Sequence, residues 1–165
     1  ISRLENGRWQ APQALSSDGW EIAACPVNGP AIAAHGDLVA VAWFTAARNS
    51  PIVKARLSKN GGKTFGETII VDTGRPLGHV DVAYIGDSSF AISYMKNGDG
   101  LHDILLRSLT SEGELSLYKT AGRTAVAHNV PQMVEHDGNL VMAWTDRIKD
   151  ESRIGTVSIE IIYAE

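Results

Sequence analysis

Similar text returns along this 165-residue protein at a spacing of about 50 residues, and that period restricts the fold more than any single motif does. Gly36, Gly86 and Gly138 mark one phase of the repeat. Trp43, Tyr94 and Trp144 mark another, each inside an alternating apolar string: V-A-V-A-W-F-T, F-A-I-S-Y-M-K and L-V-M-A-W-T-D. Alternation of this kind is the period of a strand, and no window carries the apolar spacing and caps of a helix. Around these markers the sequence reads as strands over residues 31–35, 38–44, 52–58 and 67–72, then 79–85, 89–95, 103–109 and 115–120, then 131–136, 140–145 and 153–163. The expected fold class is therefore all-β. Four-stranded units at this spacing are the pattern of β-propeller blades, which cannot bury both faces alone and stack on their neighbours. A β-sandwich is the rival, because short strands with frequent turns fit it too.

Residues 1–15 open inside a repeat. Arg3-Leu4 followed by Asn6-Gly7 can be laid over Arg56-Leu57 followed by Asn60-Gly61, so 1–15 is expected to be the outer part of a preceding blade. Residues 31–72 and 79–120 are expected to form two complete blades, and 131–163 an incomplete one. About three blades are too few to close a ring. The expectation is half of a six-bladed propeller in one domain, 1–165, completed either by homodimerisation about a two-fold axis or by polypeptide outside this sequence.

Between the third and fourth strands of the first full unit lies S-K-N-G-G-K-T-F, Ser58 to Phe65. Asn60, Gly61 and Gly62 are expected to supply the positive-φ positions of a tight hairpin. The spelling Ser58, Asn60, Gly62, Thr64, Phe65 resembles the Asp-box, or bacterial neuraminidase repeat, of sialidase-like β-propellers. That resemblance implies a structural role for these five residues, with Asn60 capping its own turn and Phe65 packing between blades. It also implies six blades, and a ligand face formed by the loops that join one blade to the next and the second strand of a blade to its third.

Those loops lie at the end opposite the Asp-box turn. They carry Arg48, Arg75, Arg123, Arg147, Asp81, His79, His128, Asp146 and Asp150, and Trp20 is offered as a stacking surface for a ligand. Sialidases hold a carboxylate with three arginines, because planar guanidinium forks match it at two points. They use a Tyr activated by a Glu as nucleophile and an Asp as acid/base. The Phe/Tyr-Arg-Ile-Pro string of that family is not present; Gly74-Arg75-Pro76-Leu77 is a different string. The expected function is a sialidase-like module binding a glycan or other small ligand. An exo-sialidase with part of its site outside this sequence, and a protein-interaction scaffold, are the alternatives. The resemblance makes an exported or periplasmic location compatible without fixing it.

Composition narrows the partners. Fifteen Lys and Arg against 19 Asp and Glu give a formal charge of −4, which argues against nucleic acid or an anionic membrane surface. No run has the length and apolarity of a membrane span. Cys25 is the single cysteine, expected as a small buried apolar residue, so no internal disulfide forms. His79 and Asp81 alternate onto one side of a strand, but two ligands without a third do not make a metal site. No cofactor is expected. Trp9, Trp43, Tyr94 and Trp144, recurring at blade period, are expected in the core between blades.

Overall fold

The computed structural model describes residues 1–22, 27–149 and 151–162. Cys25, Asp150 and the last residue of the expected final strand, Tyr163, lie outside the described residues. The protein is all-β: four antiparallel sheets of two to four strands, each made of strands consecutive in sequence. A short hairpin joins β1 (Leu4–Glu5) to β2 (Arg8–Trp9). The first large sheet holds β3 (Ala31–His35), β4 (Leu38–Thr45), β5 (Ile52–Ser58) and β6 (Ile69–Asp72). The second holds β7 (Pro76–Gly86), β8 (Ser89–Asn97), β9 (His102–Thr110) and β10 (Lys119–Thr124). The third has three strands, β11 (Gln132–His136), β12 (Asn139–Ile148) and β13 (Glu151–Glu160). Among the described residues the only helical element is a 3-10 turn, Ala47–Asn49, and no helix is long and apolar enough to cross a membrane.

The second sheet is apolar on both faces, which follows from its alternating text. Phe90, Ile92 and Tyr94 of β8, with Val80, Val82, Leu105 and Leu109, face Ala40, Ala42, Val53, Ala55 and Val71 of the first sheet. Ala91 and Met95 of β8, with Ala83 and Ile104, face Leu140, Met142 and Trp144 of the third. The packing is close around Trp144. A Cβ added at Gly122 of β10 or at Gly155 of β13 would lie 2.6 Å from carbons of its indole ring, so neither position has room for a side chain.

Several expectations about boundaries are corrected. Within residues 1–15 the ladder covers only Leu4–Glu5 and Arg8–Trp9, with Glu5 paired to Arg8 across Asn6 and Gly7, and single backbone bonds continue beyond it, Gln10 N–H to Arg3 O and Gln13 N–H to Ile1 O, both 2.8 Å. Trp9 is 71% exposed rather than core, because it sits on a two-residue strand that, among the described residues, pairs only with β1. Trp43 is half-buried on the outer face of the first sheet, and Tyr94 and Trp144 are buried as expected. The fourth strand of the second sheet begins at Lys119 rather than Leu115. Leu115 makes only an isolated bridge to Leu109, Ser116 bonds back to Ser108, and Leu117 and Tyr118 turn out to solvent. The ladder restarts beyond them, with a register shift between Thr120 and Gly122.

The S-K-N-G-G-K-T-F turn is wider than a tight hairpin, spanning the residues between Ser58 and Ile69, and only Gly61 and Gly62 have positive φ. Its own polar groups close it from within. The Ser58 hydroxyl donates to Asn60 Oδ1 (2.9 Å) and accepts from the Gly62 N–H (2.9 Å). Asn60 Oδ1 accepts from Thr64 N–H (2.9 Å), while its Nδ2 donates to the Thr64 hydroxyl (2.8 Å). Phe65 is half-buried with its ring over Gly62 and belongs to neither apolar cluster. Gly61 N–H also donates to Asp37 O (2.8 Å), tying this turn to the β3–β4 turn.

Two outcomes test this packing. Ser58→Ala leaves the buried Gly62 N–H without a partner and should lower unfolding free energy by about 1–3 kcal/mol in a urea titration. Gly122→Ala should cost about 1–3 kcal/mol by overpacking, and the loss should shrink when Trp144→Leu is made in the same protein. Equal losses in both backgrounds would show that the indole is not what Gly122 makes room for.

Candidate functional site

The consecutive antiparallel strands divide the connections between two ends. One end collects the β3–β4 and β7–β8 turns with the β5–β6 and β9–β10 turns, joined by Gly61 N–H to Asp37 O and by Ser111 N–H to Ser88 O. Lys59 and Glu112 pair across it at 2.7 Å. The other end carries the β4–β5 and β8–β9 loops and the passages from β6 to β7 and β10 to β11. Arg48, Arg75, Asp81, Arg123, His128, Asp146 and Arg147 are on or beside these loops, so the topology places them at one end and the Ser58–Phe65 turn at the other.

Their local states differ. Arg48, Arg75 and Arg147 are exposed and make no side-chain hydrogen bond or ion pair among the described residues. Arg48 and Arg75 sit in left-handed backbone, at φ 54° and 60°. Arg123 pairs with Asp103 (2.8 Å) across β10 and β9. Asp146 accepts from the Thr124 hydroxyl (3.1 Å), Ala125 N–H (3.3 Å) and Arg153 (3.4 Å). Burial alone would raise its pKa, but the N–H groups of Arg147 and Ala125, with Thr124 and Arg153, hold the carboxyl below its usual value. Asp146 is thus a loop anchor already committed to the protein. Trp20 is half-buried and meets Phe44 edge to face, ring centroids 5.5 Å apart, beside the Asp18–Lys54 pair (3.0 Å).

The entry to β7 is the most constrained part of this end. Arg75, Gly78 and His79 all have positive φ, and the register slips between Pro76 and Gly78 and again between Gly78 and Asp81. The slip breaks the simple alternation that would put His79 and Asp81 side by side. What holds this shape is Asn28, whose Oδ1 accepts from His79 N–H (2.7 Å) and whose Nδ2 donates to Leu77 O (3.0 Å). A Cβ at Gly78 would come within 2.8 Å of the Phe44 ring. Asp81 is half-buried and accepts from Met133 N–H (2.7 Å) and Val82 N–H (2.9 Å), so it joins the second sheet to the third. Its burial pushes the carboxyl pKa up, against the pull of those two N–H groups.

His79 is 5% exposed, and its Nδ1 has no hydrogen-bond partner. Burial holds its pKa below 6.5, helped by the nearby imidazoles of His128 and His102 and opposed by the Ala127 carbonyl. The three histidines come from β7, the β10–β11 passage and the start of β9. Among the described residues no group of three or more His, Cys, Asp or Glu side chains is arranged to hold a metal ion.

Sequence reasoning missed Asn28 and its counterpart Asn129, which donates to Thr145 O (2.7 Å) and accepts from Thr145 N–H (3.1 Å). Their shared signal is the string Asn-x-Pro, Asn28-Gly29-Pro30 and Asn129-Val130-Pro131, just before β3 and β11. No described tyrosine opens on the loop end. Tyr94 is fully buried, its hydroxyl unpartnered and its pKa raised by burial and by the charge of Asp72. Tyr84 stacks on His35 at 4.1 Å, and Tyr118 precedes β10 at the end that carries the Ser58–Phe65 turn. No protein-family model matches the sequence, and no curated protein matches it.

Protonation gives a measurable consequence. The folded state keeps His79 neutral, so the stability this contributes is complete above about pH 6.5 and is lost as pH falls through the lower folded value. Asp81 acts with the opposite sign: its contribution is complete below about 3.8 and is lost as pH rises through its raised value. The His79 contribution to urea midpoints should therefore fall between pH 7 and 5. His79→Asn, which tolerates left-handed backbone, should flatten that fall; an unchanged slope would rule His79 out as its source.

Proposed function

We propose that the four sheets are part of an Asp-box β-propeller of sialidase type, and that its loop end binds a small carboxylate-bearing sugar without hydrolysing it. The observation that carries the reading is the contrast between the ends. The Asp-box end closes its polar groups on itself, while the loop end leaves the guanidinium groups of Arg48, Arg75 and Arg147 without carboxylate partners among the described residues. The sheets support the propeller reading because each is a closed run of consecutive strands and the second is covered on both faces by its neighbours. The described tyrosines support binding over catalysis, since a nucleophile must be reachable and Tyr94 is not.

The third sheet ends at β13, whose outer edge pairs with no strand among the described residues. In the propeller reading this edge takes a fourth strand from a second copy or from further polypeptide. An unpaired edge of this length invites such pairing.

Calorimetric titration with a sialylated oligosaccharide and with its neutral, desialylated counterpart tests the reading. Binding should require the carboxylate. Arg75→Ala and Arg147→Ala should each weaken it by about tenfold or more, the scale of one charge-assisted hydrogen bond. Equal affinity for both sugars, or no binding of either, would overturn the ligand class. Turnover of a fluorogenic sialoside by the same protein would overturn the binding-only reading.

A further inference from the structure

Four Asn-Gly dipeptides occur in the sequence: Asn6-Gly7, Asn28-Gly29, Asn60-Gly61 and Asn97-Gly98. In such a pair the backbone nitrogen of the glycine can attack the amide carbon (Cγ) of the asparagine. The new bond from that nitrogen to Cγ closes a five-membered succinimide, the Cγ–Nδ2 bond breaks and ammonia leaves. Water then opens the ring at either carbonyl, giving aspartate or isoaspartate. The step needs an asparagine amide free to turn and a glycine N–H free to lose its proton, so hydrogen bonds at either group oppose it.

Three of the four pairs are held. Asn28 is fixed at both ends of its amide by His79 N–H and Leu77 O. Asn60 is fixed by Ser58 and Thr64 while Gly61 N–H is taken by Asp37 O. Asn97 Oδ1 meets His102 Nδ1 at 3.0 Å while Gly98 N–H is taken by Leu101 O at 2.9 Å. At Asn6-Gly7 neither the asparagine amide nor the glycine N–H is in a hydrogen bond among the described residues, and both residues are exposed. The pair forms the turn of the β1–β2 hairpin, at φ 48° and 74°, and the bonds that close the hairpin, from the Glu5–Arg8 pair back to Ile1 and Gln13, leave the turn itself free.

We propose that Asn6 is the protein's site of spontaneous conversion to aspartate and isoaspartate, with water as co-reactant, and that the fold shields the other three pairs. Conversion adds a negative charge in place of a neutral amide at this turn. The isoaspartyl form also lengthens the backbone by a methylene between β1 and β2, which the two-residue turn cannot absorb without losing its register.

Peptide mapping by mass spectrometry after incubation at pH 8 reads the outcome, on the whole folded protein and in parallel in concentrated urea. In the folded protein Asn6 should convert about tenfold faster than Asn28, Asn60 or Asn97. In urea all four should convert at comparable rates, because the dipeptide is the same. Asn6→Gln should remove the early product and leave the other three peptides unchanged. Conversion first at any other pair, equal folded-state rates, or an Asn6 that stays intact while the urea-treated protein reacts would each overturn the proposal.

Discussion

Burial of both faces of the second sheet is the constraint on which the other layers depend. Fully burying a large apolar side chain contributes roughly 1.5–3 kcal/mol, and Phe90, Ile92, Tyr94, Met95, Ile104 and Leu109 are all completely enclosed. None of these could be enclosed by the second sheet alone, since a single antiparallel sheet leaves each face open. The first sheet answers the large side chains of β8 with small ones, Ala40, Ala42 and Ala55. On the other face Met142 and Trp144 of the third sheet pack with the small Ala83 and Ala91 and with the large Met95 and Ile104 of the second.

The layering leaves polar work to the ends, and they solve it differently. At the end that carries Ser58 to Phe65 short side chains bond to the backbone of their own turn, the local chemistry for which Ser, Thr and Asn are suited. At the loop end the bonds reach between segments far apart in sequence. Asn28 holds the start of β7, Asn129 holds β12, and Asp81 holds the start of β11. A long-range clamp allows the backbone between its anchors to take unusual conformations, and left-handed Arg75 and His79 lie in or beside the Asn28 clamp. The clamped end therefore carries left-handed Arg75 and His79 together with the buried imidazole.

The layers were legible in the sequence and the clamps were not. Period and alternation fixed the expected strands at 31–35 and 52–58 to the residue, because those strands pair on both sides or sit between clear turns. The reading slipped where alternation continued past the true ladder. In L-S-L-Y the apolar residues look like strand text, yet Leu117 is 87% exposed, since Ser116 spends its bonds on Ser108. Trp9 misled in the same way: an aromatic at the right phase is core only if a second sheet covers it. The two Arg-Leu strings followed by Asn-Gly look like copies but fold as a two-residue turn in one case and a broad, internally hydrogen-bonded loop in the other. One extra residue, and a serine where the first copy has Glu5, separates them. Which arginines are paired depends on contacts across strands, and one-dimensional spacing does not carry that.

The arginines without partners among the described residues are hard to account for by stability alone. An exposed ion pair contributes only about 0–1 kcal/mol, so leaving Arg75 unpaired forgoes little. Holding a non-glycine residue in left-handed backbone costs about 1–3 kcal/mol, which is more than such a pair returns. Glycine at position 75 would carry the same φ with less strain. The fold thus maintains a guanidinium group at a position where its own energetics favour another residue, on a protein whose net charge is negative. Arg48, in the same kind of backbone on the adjacent β4–β5 loop, repeats the arrangement. Left-handed backbone is not peculiar to this end, since Asp87, Ser88 and Asp137 adopt it in the opposite turns; what sets Arg48 and Arg75 apart is the long cationic side chain carried there, where the opposite turns carry short polar ones that suit this backbone better.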